Sequence, residues 1–265
     1  DAEIDTLRRE GVHFQTDTII GKTITIDELQ ARGFKGFFIG SGAGLPNFMD
    51  IPGENLINVM SSNEYLTRVN LMDAANPDTD TPINIGKKVV VVGGGNTAMD
   101  SCRTAKRLGA DVTIVYRRSE VEMPARLEEV KHAKEEGIHF LTLHNPKEYL
   151  ADDQGRVRAV VLDVMRLGEP DASGRRSPVP TGETQTLECD QVIVSIGVSP
   201  NPLVPKSVSG LELGRKNTIV VGEDMRSSRP NIYAGGDIVR GGATVILAMG
   251  DGRRAAANMA SQLLA

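Results

Sequence analysis

Tryptophan is absent from this chain of 265 residues, and aromatic residues make up only 4% of it. The stacking platforms that hold single-stranded nucleic acid are therefore missing. A net charge of −5 argues the same way, because a nucleic-acid surface needs a basic face. No apolar run approaches 18 residues, so a soluble protein without a membrane span is expected. There are only two cysteines, Cys102 and Cys189, 87 positions apart and without C-x-x-C spacing. That spacing writes neither a dithiol redox centre nor a zinc or iron–sulfur site. Two lone thiols suit burial in a reducing compartment, and the expected location is cytoplasmic. His13, His132, His139 and His144 fit no metal or nucleophile template. No metal site and no catalytic side chain is assigned.

What is present is concentrated in Val89-Val90-Val91-Val92-Gly93-Gly94-Gly95-Asn96-Thr97-Ala98. Four β-branched residues run into a G-x-G-x-x-A turn, the pattern of a dinucleotide-phosphate cradle. Gly93 allows the tight turn, Gly95 a close backbone approach to a pyrophosphate, and Ala98 close packing of the next helix. The N–H groups at the start of that helix, around Asn96 and Thr97, face the phosphates. Glycines alone are also plain turn formers, so the context decides. Ala98, Cys102, Ala105 and Leu108 recur at helical spacing, and Gly109 closes the helix. Val112–Tyr116 then completes a βαβ unit. NAD sites carry an acidic residue after that second strand; this chain has Arg117-Arg118. Two guanidiniums favour the 2′-phosphate of NADP(H) through charge-assisted hydrogen bonds of about 1.5–3 kcal/mol each. Arg126 is a candidate third cation, and Pro124 predicts a helix from Pro124 to about Glu136.

The length exceeds the usual single-domain range and predicts two domains. Near the start, a helical Glu3–Glu10 segment ends at Gly11, and Val12–Gln15 and Ile24–Ile26 read as short strands. Gly36–Gly44 is a strand running into a glycine-rich turn with Gly40 and Gly42 at its bend, but without the continuation into a helix that a second cradle needs. Far downstream, Asn231–Ala234 runs into a corner, Gly235-Gly236-Asp237. Gly241-Gly242-Ala243-Thr244 and a long amphipathic helix to Leu264 follow, offering another helix N-terminus. Between these regions, Val157–Leu167 and Thr186–Val194 alternate apolar and polar residues around a Gly174/Pro178/Pro180 loop, predicting an antiparallel addition to the parallel sheet.

Three segments, residues 36–72, 89–130 and 231–256, together resemble the two-dinucleotide-binding-domain flavoprotein reductases. The likeness is greatest to the small (β) subunit of NADPH-dependent glutamate synthase and its homologues. The resemblance implies an α/β fold in which a Rossmann-like NADPH domain, residues 59–198, is inserted into an FAD-binding domain made of residues 1–58 and 199–265. It further implies that Asp237 binds the ribityl chain of FAD from the corner holding Gly236. Gly242, Ala243 and Thr244 would aim a helix end at the flavin or its phosphates, and Gly40 and Gly42 would lie near it. That family begins with an iron–sulfur region and an FAD fingerprint, neither of which is in this sequence. The resemblance therefore implies a fragment with an incomplete FAD site, inactive without its preceding part, and iron–sulfur clusters only outside it or in a partner. The activity implied is hydride transfer from NADPH to FAD, with electrons passed on for glutamate formation, and the expected partner is a glutamate synthase large subunit. A second reading is an NADPH:ferredoxin oxidoreductase-type subunit with a ferredoxin-type acceptor, a branch that Leu167–Arg176 resembles equally well. A third is a redox-inactive NADPH-binding scaffold. A homo-oligomer is compatible with the sequence, which does not specify an oligomeric state.

Overall fold

The run Val89–Val92 is at most 3% exposed at every position, as expected of a parallel strand covered on both faces. The computed structural model describes residues 2–170 and 174–264. In chain order the elements are α1 Ala2–Arg9, α2 Ile26–Ala31, β1 Phe37–Ile39, β2 Leu45–Pro46, β3 Val59–Ser61, α3 Ser62–Leu66, β4 Lys88–Val92, α4 Asn96–Arg107, β5 Asp111–Tyr116, α5 Leu127–Glu135 and β6 His139–Thr142. They continue with β7 His144–Ala151, β8 Val157–Pro170, β9 Arg176–Glu188, β10 Gln191–Val194, β11 Val198–Ser199, α6 Leu203–Ser207, β12 Ile232–Ala234, α7 Asp237–Arg240 and α8 Val245–Leu263. The chain divides into two compact units, one of residues 1–45 and 199–265, the other Pro46–Val198.

The continuous unit is built on a parallel sheet of order β3-β10-β4-β5-β6. Alternate residues of β4 point to opposite faces, so each face has its own core. Val89 and Val91 pack with Ala98, Met99, Cys102 and Ala105 of α4. Val90 and Val92 pack with Tyr149, Val160, Leu162 and Cys189, under a separate antiparallel sheet of order β7-β8-β9. The expected antiparallel addition is thus a sheet of its own, and two details of its sequence reading are corrected. Gln191–Val194 runs parallel between β3 and β4, with all four residues buried. Pro178 and Pro180 lie inside β9, opposite Leu167 and Met165; β9 is an edge strand, where a missing N–H removes no ladder bond. Residues 171–173 of the Leu167–Arg176 stretch lie outside the described residues.

In the discontinuous unit, β1 and β12 pair in parallel over a core of Ile26, Phe37, Ile39, Ile219, Ile232 and Ile238. The helix α1 ends before Gly11, whose φ of +90° suits glycine. The two short strands expected near the start do not form. Val12–Gln15 joins no ladder and its residues are exposed. Thr25 instead caps α2: its hydroxyl accepts the Glu28 N–H at 3.1 Å, and the Glu28 carboxylate accepts the Thr25 N–H at 2.8 Å. A T-x-x-E capping box satisfies two otherwise orphaned donors and overrides the β-propensity of Ile-Thr-Ile.

Candidate functional site

At the carboxyl end of β4 the chain turns through Gly93 with φ +140°. A Cβ on Gly93 would run into the carbonyl oxygen of Ser195, and one on Gly94 would stand 2.8 Å from the Tyr116 ring. Only glycine lets these strand ends approach so closely. Around Gly95 the situation is opposite, for nothing lies within 4 Å of where its Cβ would be. Gly95 is the N-cap of α4 and supplies no side-chain cap; its carbonyl accepts from both Ala98 and Met99. The N–H groups of Asn96 and Thr97 precede any helical acceptor. Ala98 is fully buried against the sheet.

This turn opens on a cleft of about 630 Å³ whose lining includes Gly93, Gly94, Gly95, Arg117, Arg118 and Ser195. The volume is that of a small-molecule site. Arg117 is exposed and Arg118 half-buried, and the Nε of Arg118 is buried without a hydrogen-bond partner. A buried guanidinium nitrogen left unpaired costs free energy unless a ligand satisfies it. The cleft thus gathers a glycine turn, free helix-start amides and two cations, a set suited to a phosphorylated nucleotide.

Arg126 does not line this cleft, and the helix expected from Pro124 starts only at Leu127, with Arg126 as N-cap. Arg126 is extended (φ −62°, ψ 141°), and bonds to the glycine turn hold the loop in that shape. Ala125 N–H donates to the Gly94 carbonyl at 3.0 Å and Arg126 N–H to Asn96 Oδ1 at 2.9 Å. Asn96 therefore ties the loop 123–126 to the cradle through its side chain.

Sequence reading missed two residues that line the cleft, Arg175 and Ser195, and an ion pair that supports it. Arg175 lines the cleft from the end of the β8–β9 ribbon. Beside it, Arg176 Nε donates to Glu122 Oε1 at 2.8 Å. The other oxygen of Glu122 accepts the Ser119 N–H and hydroxyl at 3.1 and 2.7 Å, which pins the turn that follows Arg117-Arg118. Partial desolvation would raise the Glu122 carboxyl, but the bonds from Ser119 and Arg176 outweigh it and hold the pKa below the usual range. Ser195, the second lining residue, lies just beyond β10. Nothing in a linear pattern announces Arg175 or Ser195, since each reaches the cleft from a distant part of the chain.

In the discontinuous unit the corner after β12 borders a smaller cavity of about 300 Å³. Gly40, Gly42, Gly236, Asp237, Ala243 and Thr244 line it together, whereas Gly242 sits on the adjoining loop outside the lining. The Asp237 carboxylate accepts the Ala243 N–H at 2.9 Å, and Thr244 caps α8. The corner depends on a residue the sequence reading overlooked. Asp251, 1% exposed, accepts the Gly236 N–H at 3.1 Å and both arms of Arg240 at 2.7 and 2.6 Å. The Arg240 guanidinium holds the Asp251 carboxyl below the usual carboxylate range.

Both cysteines are buried and unpaired, and burial pushes each thiol up to about 12. Among the described residues no group of three or more His, Cys, Asp or Glu gathers as a metal site. No described helix is long and apolar enough to cross a membrane.

Residues 2–252 match the family model described as pyridine nucleotide-disulphide oxidoreductase. The chain is 38% identical over 260 residues to the NADP(+)-dependent formate dehydrogenase subunit beta of Moorella thermoacetica, covering 97% of this chain and 36% of that one. It is 34% identical over 268 residues to the glutamate synthase [NADPH] small chain of Escherichia coli, covering 96% and 57% respectively. The chain thus spans between about a third and somewhat over half of these relatives. In fold it matches the structure of Mycobacterium tuberculosis FprA in complex with NADPH, with a TM-score of 0.75 at 21% identity, over 93% of this chain and 67% of that one.

Proposed function

Because the chain belongs to the pyridine nucleotide-disulphide oxidoreductase family, we propose that it is the nucleotide-binding part of an NADPH-dependent electron-input subunit. In this reading the cleft of the continuous unit takes NADPH, and the Gly236–Asp237 corner of the other unit supplies part of an FAD site. The observation that carries it is the pairing of an open Gly95 backbone with Arg117 and an Arg118 whose buried Nε lacks a partner.

The residues present fit the nucleotide. Gly95, Asn96 and Thr97 would hold the diphosphate through backbone N–H groups at the start of α4. Arg117 and Arg118 would pair with the 2′-phosphate, which an acidic residue at that position would repel. Asp237 and the capped start of α8 would hold the flavin cofactor. When bound, the nicotinamide supplies a hydride and the flavin accepts it. The chain's own part is to bind, orient and set the local charge, and it needs no acid–base side chain. Glu122 keeps the Arg117-Arg118 turn in place, and the high thiol pKa values leave Cys102 and Cys189 outside the chemistry.

The acceptor favoured here is a glutamate synthase large subunit, reached through iron–sulfur clusters outside this chain. Support comes from the glutamate synthase small chain, of which this chain covers 57%. A second reading, a ferredoxin-type or other acceptor, is favoured by the comparable identity to a formate dehydrogenase subunit. Reduction assays of the protein with each acceptor separate them. Calorimetric titration tests the nucleotide assignment: NADPH is expected to bind on the order of a hundredfold more tightly than NADH, from two charge-assisted bonds of about 1.5–3 kcal/mol. Equal affinities would overturn it.

A further inference from the structure

Four buried side-chain polar atoms lack a hydrogen-bond partner among the described residues, and two of them belong to residues lining the same cleft: Arg118 Nε and Ser195 Oγ. The arginine is absorbed by the reading above; the serine is not. Ser195 is 7% exposed. Its N–H donates to the Val92 carbonyl at 2.8 Å, and its own carbonyl is what excludes a side chain from Gly93. Its backbone is therefore fixed against the glycine turn, while its hydroxyl is bonded to nothing. A buried hydroxyl without a partner costs free energy, and alanine would fill the same position without that cost.

The strand order says which part of a nucleotide would meet it. β4 lies between β5 and β10. The cations follow β5 and Ser195 follows β10, so they stand on opposite sides of the glycine turn. A dinucleotide whose diphosphate rests on that turn and whose 2′-phosphate meets Arg117 and Arg118 extends its other half across the end of β10. Resting on the NADPH reading, we propose that the Ser195 hydroxyl is a hydrogen-bonding contact for the nicotinamide-ribose half of the nucleotide. A hydroxyl turns about one bond and can donate or accept, so it can serve either a ribose oxygen or the carboxamide.

The test is Ser195→Ala in the purified protein, with three readouts: NADPH affinity, affinity for 2′,5′-ADP, which keeps the adenosine half alone, and the Tm without nucleotide. The expected result is NADPH binding about fivefold to tenfold weaker, unchanged 2′,5′-ADP binding, and a Tm equal to or above that of the unaltered protein. Retained 2′,5′-ADP binding also shows that the cleft is folded. Unchanged NADPH affinity would overturn the proposal. So would equal weakening of both ligands with a lowered Tm, which would make Ser195 a packing residue. An unaltered protein that binds 2′,5′-ADP no better than 5′-ADP would instead defeat the NADPH reading itself.

Discussion

The two nucleotide-type corners of this chain differ in how much structure supports them. At Gly93 the turn leaves a five-stranded parallel sheet covered by α4 on one face and by β7–β9 on the other. At Gly236 the turn leaves a two-stranded sheet, and two strands alone are marginal in water. That corner is braced by the buried Asp251, whose carboxylate pairs with the exposed Arg240 and accepts the Gly236 N–H. The start of α8 beside it leaves Val245, Ile246 and Met249 at least 62% exposed. Two packed faces fix the first corner, whereas a smaller core and one charged side chain fix the second. Their mutational and pH responses should therefore differ.

The largest effect is expected inside the first corner. Gly93→Ala forces a Cβ against the Ser195 carbonyl at a φ that alanine avoids. It should cost more than about 2 kcal/mol in urea denaturation and abolish NADPH binding. Gly95→Ala meets no protein atom, so it should cost less than about 1 kcal/mol in stability while still blocking the nucleotide. If both variants lost stability alike, Gly95 would be structural and not a point of ligand approach.

Charge reversal comes next. Arg117→Glu with Arg118→Glu should weaken NADPH by about 3 kcal/mol, on the order of a hundredfold, and NADH far less. Raising the salt concentration should narrow the NADPH-over-NADH preference of the unaltered protein. A uniform loss for both nucleotides would move the 2′-phosphate away from these arginines.

In the second corner, Asp251→Asn should destabilise the protein by about 1–2 kcal/mol by removing the charge from the hydrogen bonds that Gly236 N–H and Arg240 make to it. NADPH affinity should not move. Because the folded carboxyl is held below its ordinary 3.8, its contribution is complete above that pH and lost as the pH falls through the lower folded value. The stability gap between unaltered protein and variant should therefore close in acid, and a gap independent of pH would remove Asp251 as the charged support of this corner.

The smallest effect is expected at the thiols. Cys102→Ala with Cys189→Ala should change NADPH affinity by less than about twofold, since both side chains are buried in cores rather than in the cleft. With pKa values near 12, neither thiol should react with a disulfide reagent at pH 8 until the protein is unfolded. Rapid labelling of the native protein would contradict their burial.

Local and periodic signals in the sequence determined much of this. The valine run, the spaced glycines, the helix with its Gly109 stop and the position of Arg117-Arg118 all lie within one βαβ segment, where chain neighbours are also spatial neighbours. The same locality explains two errors. Thr25 and Glu28 form a capping box where β-branched residues suggested a strand. Bonds from Ala125 and Arg126 to Gly94 and Asn96 hold an extended loop at Arg126, so Pro124 does not open a helix. Only the tertiary structure decided what else enters each site. Arg175 arrives from the β8–β9 ribbon, Ser195 from the strand beside β4, and Asp251 from the far side of the Gly236 corner. Side chains brought together by sheet pairing share no spacing in the sequence, and an unpaired hydroxyl or a buried carboxylate is defined only by the atoms that surround it.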